Sequence, residues 1–284
     1  MEVILAESAG FCFGVKRAMD KVEEKIRGSE GFRKIYTYGP IIHNSEVVED
    51  LKSKGVSVIN TPDEIRSIAG QTMIIRSHGV SKDIYELAGD NDIDLVDATC
   101  PFVKKIHDIV KEKSREGYHI VIIGDAAHPE VQGIVGWCPG SCTVVNTEEE
   151  AENLDINTAS KLAIVAQTTF NAQKFKHFVE IISEKGYDTN VINTICNATA
   201  IRQCEAADIS MKADIMLVIG DSRSSNTRKL YEICKSNCKD TYHIQTVRDL
   251  SSADLQSGKC VGITAGASTP NHLIQEVLLY VRGI

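Results

Sequence analysis

Ser8-Ala-Gly-Phe-Cys-Phe-Gly-Val15 joins a strand-like run, Val3-Ile-Leu-Ala6, to a helical pattern in which Val15, Ala18, Met19, Val22 and Ile26 fall on one face. Cys12 therefore lies at or just before a helix N-terminus, where unpaired amides and the helix field favour a thiolate. The same arrangement recurs twice. Ile93-Asp-Leu-Val-Asp97 leads to Cys100, with Val103, Ile106 and Val110 behind it. Val191-Ile192 leads to Cys196, with Ile201, Cys204, Ala207 and Met211 following at helical spacing. One cysteine before a helix is weak evidence of anything; three in similar modules require an explanation.

Working outward, each module carries the same sequence of features. Gly39-Pro-Ile-Ile-His43, Gly124-Asp-Ala-Ala-His128 and Gly220-Asp-Ser-Arg-Ser224 each follow a short apolar run, and each ends on a polar residue. Thr61, Thr147 and Thr246 each precede an acid by three residues, the signature of a capping box. A second apolar run delivers His78, Thr168 and Ser268 in turn. This internal threefold repeat predicts an α/β fold of three pseudo-threefold related domains, each with a mostly parallel sheet. The boundaries are 13–96, 97–192 and 193–284, with residues 1–12 expected to complete the third domain. No Pro- or Gly-rich linker separates the domains, which favours close packing.

The 284 residues suffice for a substantial core, and 43% apolar content is that of a globular protein. A formal charge of -8 argues against a nucleic-acid partner but leaves room for a small anion in a local pocket. No apolar run is long enough to span a membrane. The start, Met1-Glu-Val-Ile-Leu-Ala-Glu7, has no basic region before its apolar run and does not read as a secretory signal. Nine cysteines are too sparse for a disulfide scaffold of this length, so a reducing, cytoplasmic setting with metal or redox use is expected.

Polar residues at strand ends in such sheets face a common crevice. Pseudo-threefold packing would bring Cys12, Cys100 and Cys196 to one axis, and three thiolates at one point require a metal. Zinc with three thiolates and an open position fits, as does an iron–sulfur cluster with one iron left open; the spacing does not choose between them. His43, His78 and His128 can donate hydrogen bonds, and Ser224, Ser225, Asn226 and Ser268 add neutral donors. With helix N-termini they suit a phosphate or diphosphate. Glu130, two residues after His128, is the expected proton donor or relay, with Thr168 placed to orient it or the substrate hydroxyl.

At these residues the chain resembles the 4-hydroxy-3-methylbut-2-enyl diphosphate reductase (LytB) family. The matching stretches are Ala9-Gly-Phe-Cys-Phe-Gly-Val-Lys-Arg-Ala18, Gly39-Pro-Ile-Ile-His-Asn44, Arg76-Ser-His-Gly79, Asp97-Ala-Thr-Cys-Pro101, His128-Pro-Glu130, Gln167-Thr-Thr169, Asn193-Thr-Ile-Cys196, Ser224-Ser-Asn226 and Ala267-Ser-Thr-Pro270. Together they span essentially the whole chain in order. The resemblance implies three lobes around a central [4Fe-4S] cluster held by Cys12, Cys100 and Cys196, found as [3Fe-4S] once the open iron is lost. It implies a diphosphate pocket of His43, His78, His128, Ser224, Ser225, Asn226 and Ser268, with Glu130, Thr168 and His128 as the catalytic set. The implied reaction removes the substrate's allylic hydroxyl as water with two electrons and two protons, giving isopentenyl and dimethylallyl diphosphates. The implied electron donor is a ferredoxin or flavodoxin. Two features depart from the family pattern: Ala127 stands where a glycine usually precedes the histidine, and Trp137-Cys-Pro-Gly-Ser-Cys142 carries two cysteines with no expected place on the cluster.

Other residues have ordinary readings. Cys204 and Cys260 are expected as core or near-surface thiols, as are the pairs Cys138/Cys142 and Cys234/Cys238, for which a labile thiol pair or an accessory metal site is the alternative. His107, His119, His177, His243 and His272 lie off the repeated strand ends and are expected to be structural or solvated. Two rival functions use the same residues. A zinc hydrolase would take Glu130 as a general base, and a non-enzymatic iron–sulfur sensor would need no convergent anion pocket.

Overall fold

The computed structural model describes residues 1–28, 33–157, 160–251, 255 and 258–283. The parts of the three expected domains at 29–32, 158–159, 252–254, 256–257 and 284 lie outside the described residues. The chain begins with β1 (Glu2–Leu5), α1 (Phe13–Gly28), β2 (Ile35–Tyr38), α2 (Ser45–Ser53), β3 (Val56–Ile59), α3 (Pro62–Ser67), β4 (Thr72–Ile75), α4 (Lys82–Asp90) and β5 (Asp94–Asp97). It continues with α5 (Pro101–Arg115), β6 (His119–Ile123), α6 (Pro129–Gly136), β7 (Cys142–Val145), α7 (Glu148–Glu152), β8 (Lys161–Ala166), α8 (Ala172–Glu184) and β9 (Asp188–Val191). The last stretch holds α9 (Asn197–Ser210), β10 (Ile215–Ile219), α10 (Ser225–Asn237), β11 (Asp240–Ile244), β12 (Cys260–Ala265) and α11 (Asn271–Arg282).

The strands form three parallel four-stranded sheets, ordered β3-β2-β4-β5, β7-β6-β8-β9 and β11-β10-β12-β1. The α/β class and the parallel pairing expected from the repeat are therefore present. The three orders are one order, and β1 holds the place that β5 and β9 hold in the other two. It pairs in register with β12, Val3 opposite Val261 and Leu5 opposite Ile263. The capping boxes at Thr61, Thr147 and Thr246 all form, the last of them opening only a short 3-10 turn.

The chain divides into two compact units, residues 1–16, 42–49 and 196–284, and residues 17–41 and 50–195. The second unit holds two of the sheets. Its central strands β6 and β8 are near-continuous apolar runs because both faces are covered. Val121, Ile123, Leu162 and Ile164 pack on Phe175, Phe178 and Ile182 of α8. Ile120, Ile122, Ala163 and Val165 pack on Ile106 and Val110 of α5 and on Val131 and Ile134 of α6. Burying Val131 and Ile134 contributes roughly 1.5–3 kcal/mol each, which fixes α6 and the residues at its start. In the first unit, Ile215, Leu217 and Ile219 of β10 face Ile274, Val277, Leu278 and Val281 of α11. Met216 and Val218 face Ala206 and Ile209 of α9.

Helix α9 corrects the sequence reading. Ile201 and Met211 are exposed, at 60% and 66%, and Cys204 is exposed as well. The inward face is instead Thr199, Arg202, Gln203, Ala206, Ile209 and Ser210. Four of these six are polar, and Arg202, with the neighbouring Glu205, binds the loop between β1 and α1.

Candidate active site

In the second unit the site is built on the start of α6. His128 is the N-cap residue and Pro129 occupies the first turn, where a missing N–H costs nothing. The Glu130 backbone N–H donates to His128 Nδ1 at 3.1 Å. A neutral His128 then carries its proton on Nε2, the tautomer that can donate to an anion. Glu130 is 2% exposed. The Thr168 backbone N–H donates to its Oε1 at 2.6 Å, and the Thr168 hydroxyl donates to its Oε2 at 2.7 Å. Burial pushes the carboxyl up to about 7, against the two Thr168 bonds, which favour the ionised form. Such a group holds a proton at neutral pH and can release it.

Thr168 is aimed by the turn that follows β8. Gln167 Oε1 accepts from the Asp125 N–H at 3.2 Å, tying the β8 end to the β6 end. Gly124 makes room for this, since a Cβ there would stand 2.9 Å from both Gln167 Cβ and a Val131 methyl. His78, delivered by β4, packs edge-on to His128 with ring centroids 5.3 Å apart. Cys100 is the N-cap residue of α5, and its sulfur makes no capping bond. Its N–H donates to the Ser77 carbonyl at 2.9 Å, so cysteine and histidine hang on adjacent backbone. Arg17 donates to the Thr99 carbonyl at 3.0 Å and holds the same loop.

In the first unit, Cys12 donates its backbone N–H to the Ala267 carbonyl at 3.2 Å. Cys196 is the N-cap residue of α9, again without a capping bond from sulfur. Arg202, 5% exposed, lies within electrostatic reach of both. It donates to the Gly10 carbonyl at 2.7 Å and to the Ala198 carbonyl at 3.1 Å. Burial pulls this guanidinium below its ordinary value, while the charges of Cys12, Cys196 and Glu205 act in the other direction. A buried cation beside two cysteines offsets the negative charge of a thiolate-bound metal site, so these residues fit one. Glu205 accepts from the Glu7 N–H at 2.7 Å, the Ser8 N–H at 3.0 Å and the Ser8 hydroxyl.

The first unit also carries the candidate anion donors. Ser224 caps α10, accepting from the Thr227 N–H at 3.3 Å, and Ser225 and Asn226 are buried in its first turn. Among the described residues, neither polar atom of the Asn226 amide has a hydrogen-bond partner, although the residue is 4% exposed. An amide so placed points to a ligand. The Ser268 hydroxyl donates to the His43 carbonyl at 3.0 Å, and Asn44 Nδ2 donates to the Ser268 carbonyl at 3.0 Å. Asp221 accepts the Ser45 N–H at 2.9 Å and so holds the next residue of the same loop.

Taken unit by unit, the structure places Arg202 within electrostatic reach of both Cys12 and Cys196 and joins His43 to Ser268. It also brings His78, His128, Glu130 and Thr168 together, with Cys100 on neighbouring backbone. Sequence reasoning missed Arg202, Asp221 and Gln167. The signal for Arg202 was a lone cation on the same side of α9 as Thr199 and Ala206, a pattern that apolar periodicity passes over. His119 and His243, expected to be structural, bond to Thr143 at 2.8 Å and to the Gly220 carbonyl at 2.9 Å.

A family model described as LytB protein matches residues 3–282. A protein of Caldanaerobacter subterraneus subsp. tengcongensis named 4-hydroxy-3-methylbut-2-enyl diphosphate reductase is 46% identical over 285 residues, covering 100% of this chain and 98% of that one. The protein of the same name from Clostridioides difficile is 43% identical over 288 residues and fully covered on both sides. A solved (E)-4-hydroxy-3-methyl-but-2-enyl diphosphate reductase, described as the terminal enzyme of the non-mevalonate pathway, is 42% identical with a TM-score of 0.70 over 100% of both chains. The Plasmodium falciparum E-1-hydroxy-2-methyl-but-2-enyl-4-diphosphate reductase is 32% identical with a TM-score of 0.92, covering 99% of this chain and 87% of that one.

Proposed function

The chain belongs to the LytB family of 4-hydroxy-3-methylbut-2-enyl diphosphate reductases and is an oxidoreductase, and on that premise we propose its substrate, its cofactor and the role of each residue. The substrate is (E)-4-hydroxy-3-methylbut-2-enyl diphosphate. Two electrons and two protons remove its allylic oxygen as water and leave isopentenyl or dimethylallyl diphosphate.

Cys12, Cys100 and Cys196 would hold a [4Fe-4S] cluster, or a [3Fe-4S] cluster after loss of the iron that no cysteine ligates. When bound, the cluster supplies electrons one at a time and a Lewis-acidic iron, which a bare zinc ion cannot combine. His43, His78, His128, Ser224, Ser225, Asn226 and Ser268 bind the diphosphate, the histidines and the Asn226 amide donating to its oxygens. Glu130 delivers the proton. Hydroxide is a poor leaving group, and protonation of the departing oxygen turns it into water. The Thr168 N–H and hydroxyl hold both Glu130 oxygens and orient them for the transfer.

The observation that carries the reading is the buried Glu130, held by Thr168 with its carboxyl at about 7, beside the His78–His128 pair. No described helix is long and apolar enough to cross a membrane, and none of the nine cysteines is in a disulfide. A cytoplasmic enzyme fed by a ferredoxin or flavodoxin suits both facts. The test is anaerobic purification with iron and sulfide analysis, followed by the allylic diphosphate and a one-electron donor. Formation of the two five-carbon diphosphates supports the reading. Stoichiometric zinc without sulfide, or a cluster-loaded protein that leaves the substrate untouched, overturns it.

A further inference from the structure

Trp137, the only tryptophan in the chain, follows α6 immediately. Its indole N–H donates to the Val80 carbonyl at 2.9 Å. Val80 lies two residues beyond His78. The indole stacks on the His107 ring with centroids 5.4 Å apart and planes 15° apart, and Tyr85 meets its ring edge-on at 5.7 Å. His107 in turn lies under the loop, because a Cβ on Gly79 would come within 2.8 Å of its Cε1. From α6 itself, a Cβ on Gly133 would meet the Gly79 and Val80 backbone at ordinary contact distance, and one on Gly136 would collide with Ser81. Gly79 has a φ of +73°, so the turn leaving His78 takes a conformation that glycine adopts without strain.

The loop Ser77–Ser81 is therefore held by an indole N–H, a buried imidazole and two helical glycines. The α6 helix that makes this contact also carries His128 and Glu130 at its other end. We propose that Trp137 and His107 are positioning residues that lock His78 against His128, so that the pair meets the diphosphate preformed. Neither residue touches the substrate; they act through the Val80 carbonyl and Gly79. The inference rests on His78 and His128 being diphosphate contacts.

The experiment uses the intact protein and inorganic pyrophosphate, whose binding needs neither electrons nor turnover. Trp137→Phe keeps an aromatic ring on His107 and removes the N–H. Losing one such bond, with the loop set looser, is expected to weaken pyrophosphate about three- to tenfold by calorimetry. KM for the allylic substrate should rise by a similar factor while kcat stays within about twofold, because the proton and electron steps are untouched. Ile134→Val, a core truncation in the same helix, controls for lost stability and should leave both constants alone. In the wild type, Trp137 fluorescence should change on pyrophosphate binding, and His78→Asn should abolish that response. Unchanged affinity in Trp137→Phe, an equal loss in Ile134→Val, or a fall in kcat matching that in kcat/KM overturns the positioning role. Undiminished pyrophosphate binding in His78→Asn instead removes the pocket assignment on which the role depends.

Discussion

Glu130→Gln removes a titrating proton from the interior while keeping the side chain's shape. The amide oxygen can still accept from the Thr168 N–H, and its NH2 can donate to the Thr168 hydroxyl, which then turns to accept. In the wild type the folded carboxyl titrates at about 7 instead of 4.5, chiefly because it is buried. Between those values the unfolded chain has released this proton and the folded chain has not. The folded state binds more protons there, so stability falls with rising pH, by about 1.4 kcal/mol per unit. The contribution is full below the unfolded value, is lost as pH rises through the folded value, and totals about 3 kcal/mol between 4.5 and about 7. The glutamine variant lacks this slope. Urea unfolding of both proteins from pH ~5 to ~8 should show similar stabilities at the acid end and a variant more stable by up to about 3 kcal/mol at the alkaline end. Turnover should fall by roughly 10²–10⁴ in the variant, and wild-type kcat should decline as pH rises through Glu130's folded value. Parallel stability curves for the two proteins would show that Glu130 is not held protonated by burial, and the reasoning would fail.

Three further outcomes follow from other parts of the site. Asn226→Ala removes an amide that has no partner within the described fold, so pyrophosphate affinity should drop several-fold by calorimetry while urea stability changes by less than about 1 kcal/mol. Arg202→Met strips the buried cation from Cys12 and Cys196. Iron and sulfide content after anaerobic purification should fall, and the midpoint potential of any retained cluster should move to more negative values, with Arg202→Lys intermediate. Gly266→Ala would place a Cβ 2.0 Å from Thr227 Oγ1, forcing that side chain and its neighbour Asn226 aside; denaturant unfolding should show a loss of about 1–3 kcal/mol.

Elements with an apolar inward face were legible in the sequence. The one-sided patterns of Val103, Ile106 and Val110 and of Phe175, Phe178 and Ile182 appear as buried faces because packing against a sheet requires them. The threefold repetition of threonine caps and strand-end polar residues was legible for the same reason, since local chemistry repeats wherever the local structure does. Helix α9 was not, because its inward face bonds to backbone carbonyls and amides from nearly 200 positions away, and hydrophobic spacing carries no record of that. The role of Trp137 was not legible on the same ground. Its partner is a main-chain carbonyl 57 residues earlier, which no side-chain pattern reveals. Glu130 was identifiable as the acid near a strand-end histidine, but its protonation depends on burial and on two bonds from Thr168, both products of the tertiary fold.

Strand β1 completes a sheet whose other members all lie beyond residue 214. In the other two sheets the corresponding strand follows its neighbour after a single helix, α4 or α8, so each can close as soon as it leaves the ribosome. The remaining sheet must wait until β12 has been made, with β1 unpaired and the β12 edge open until the two meet. Moving that segment to follow α11 in a circular permutant would turn the slowest pairing into a local crossover. Such a rearranged gene should yield a faster-maturing protein with the same final sheet order.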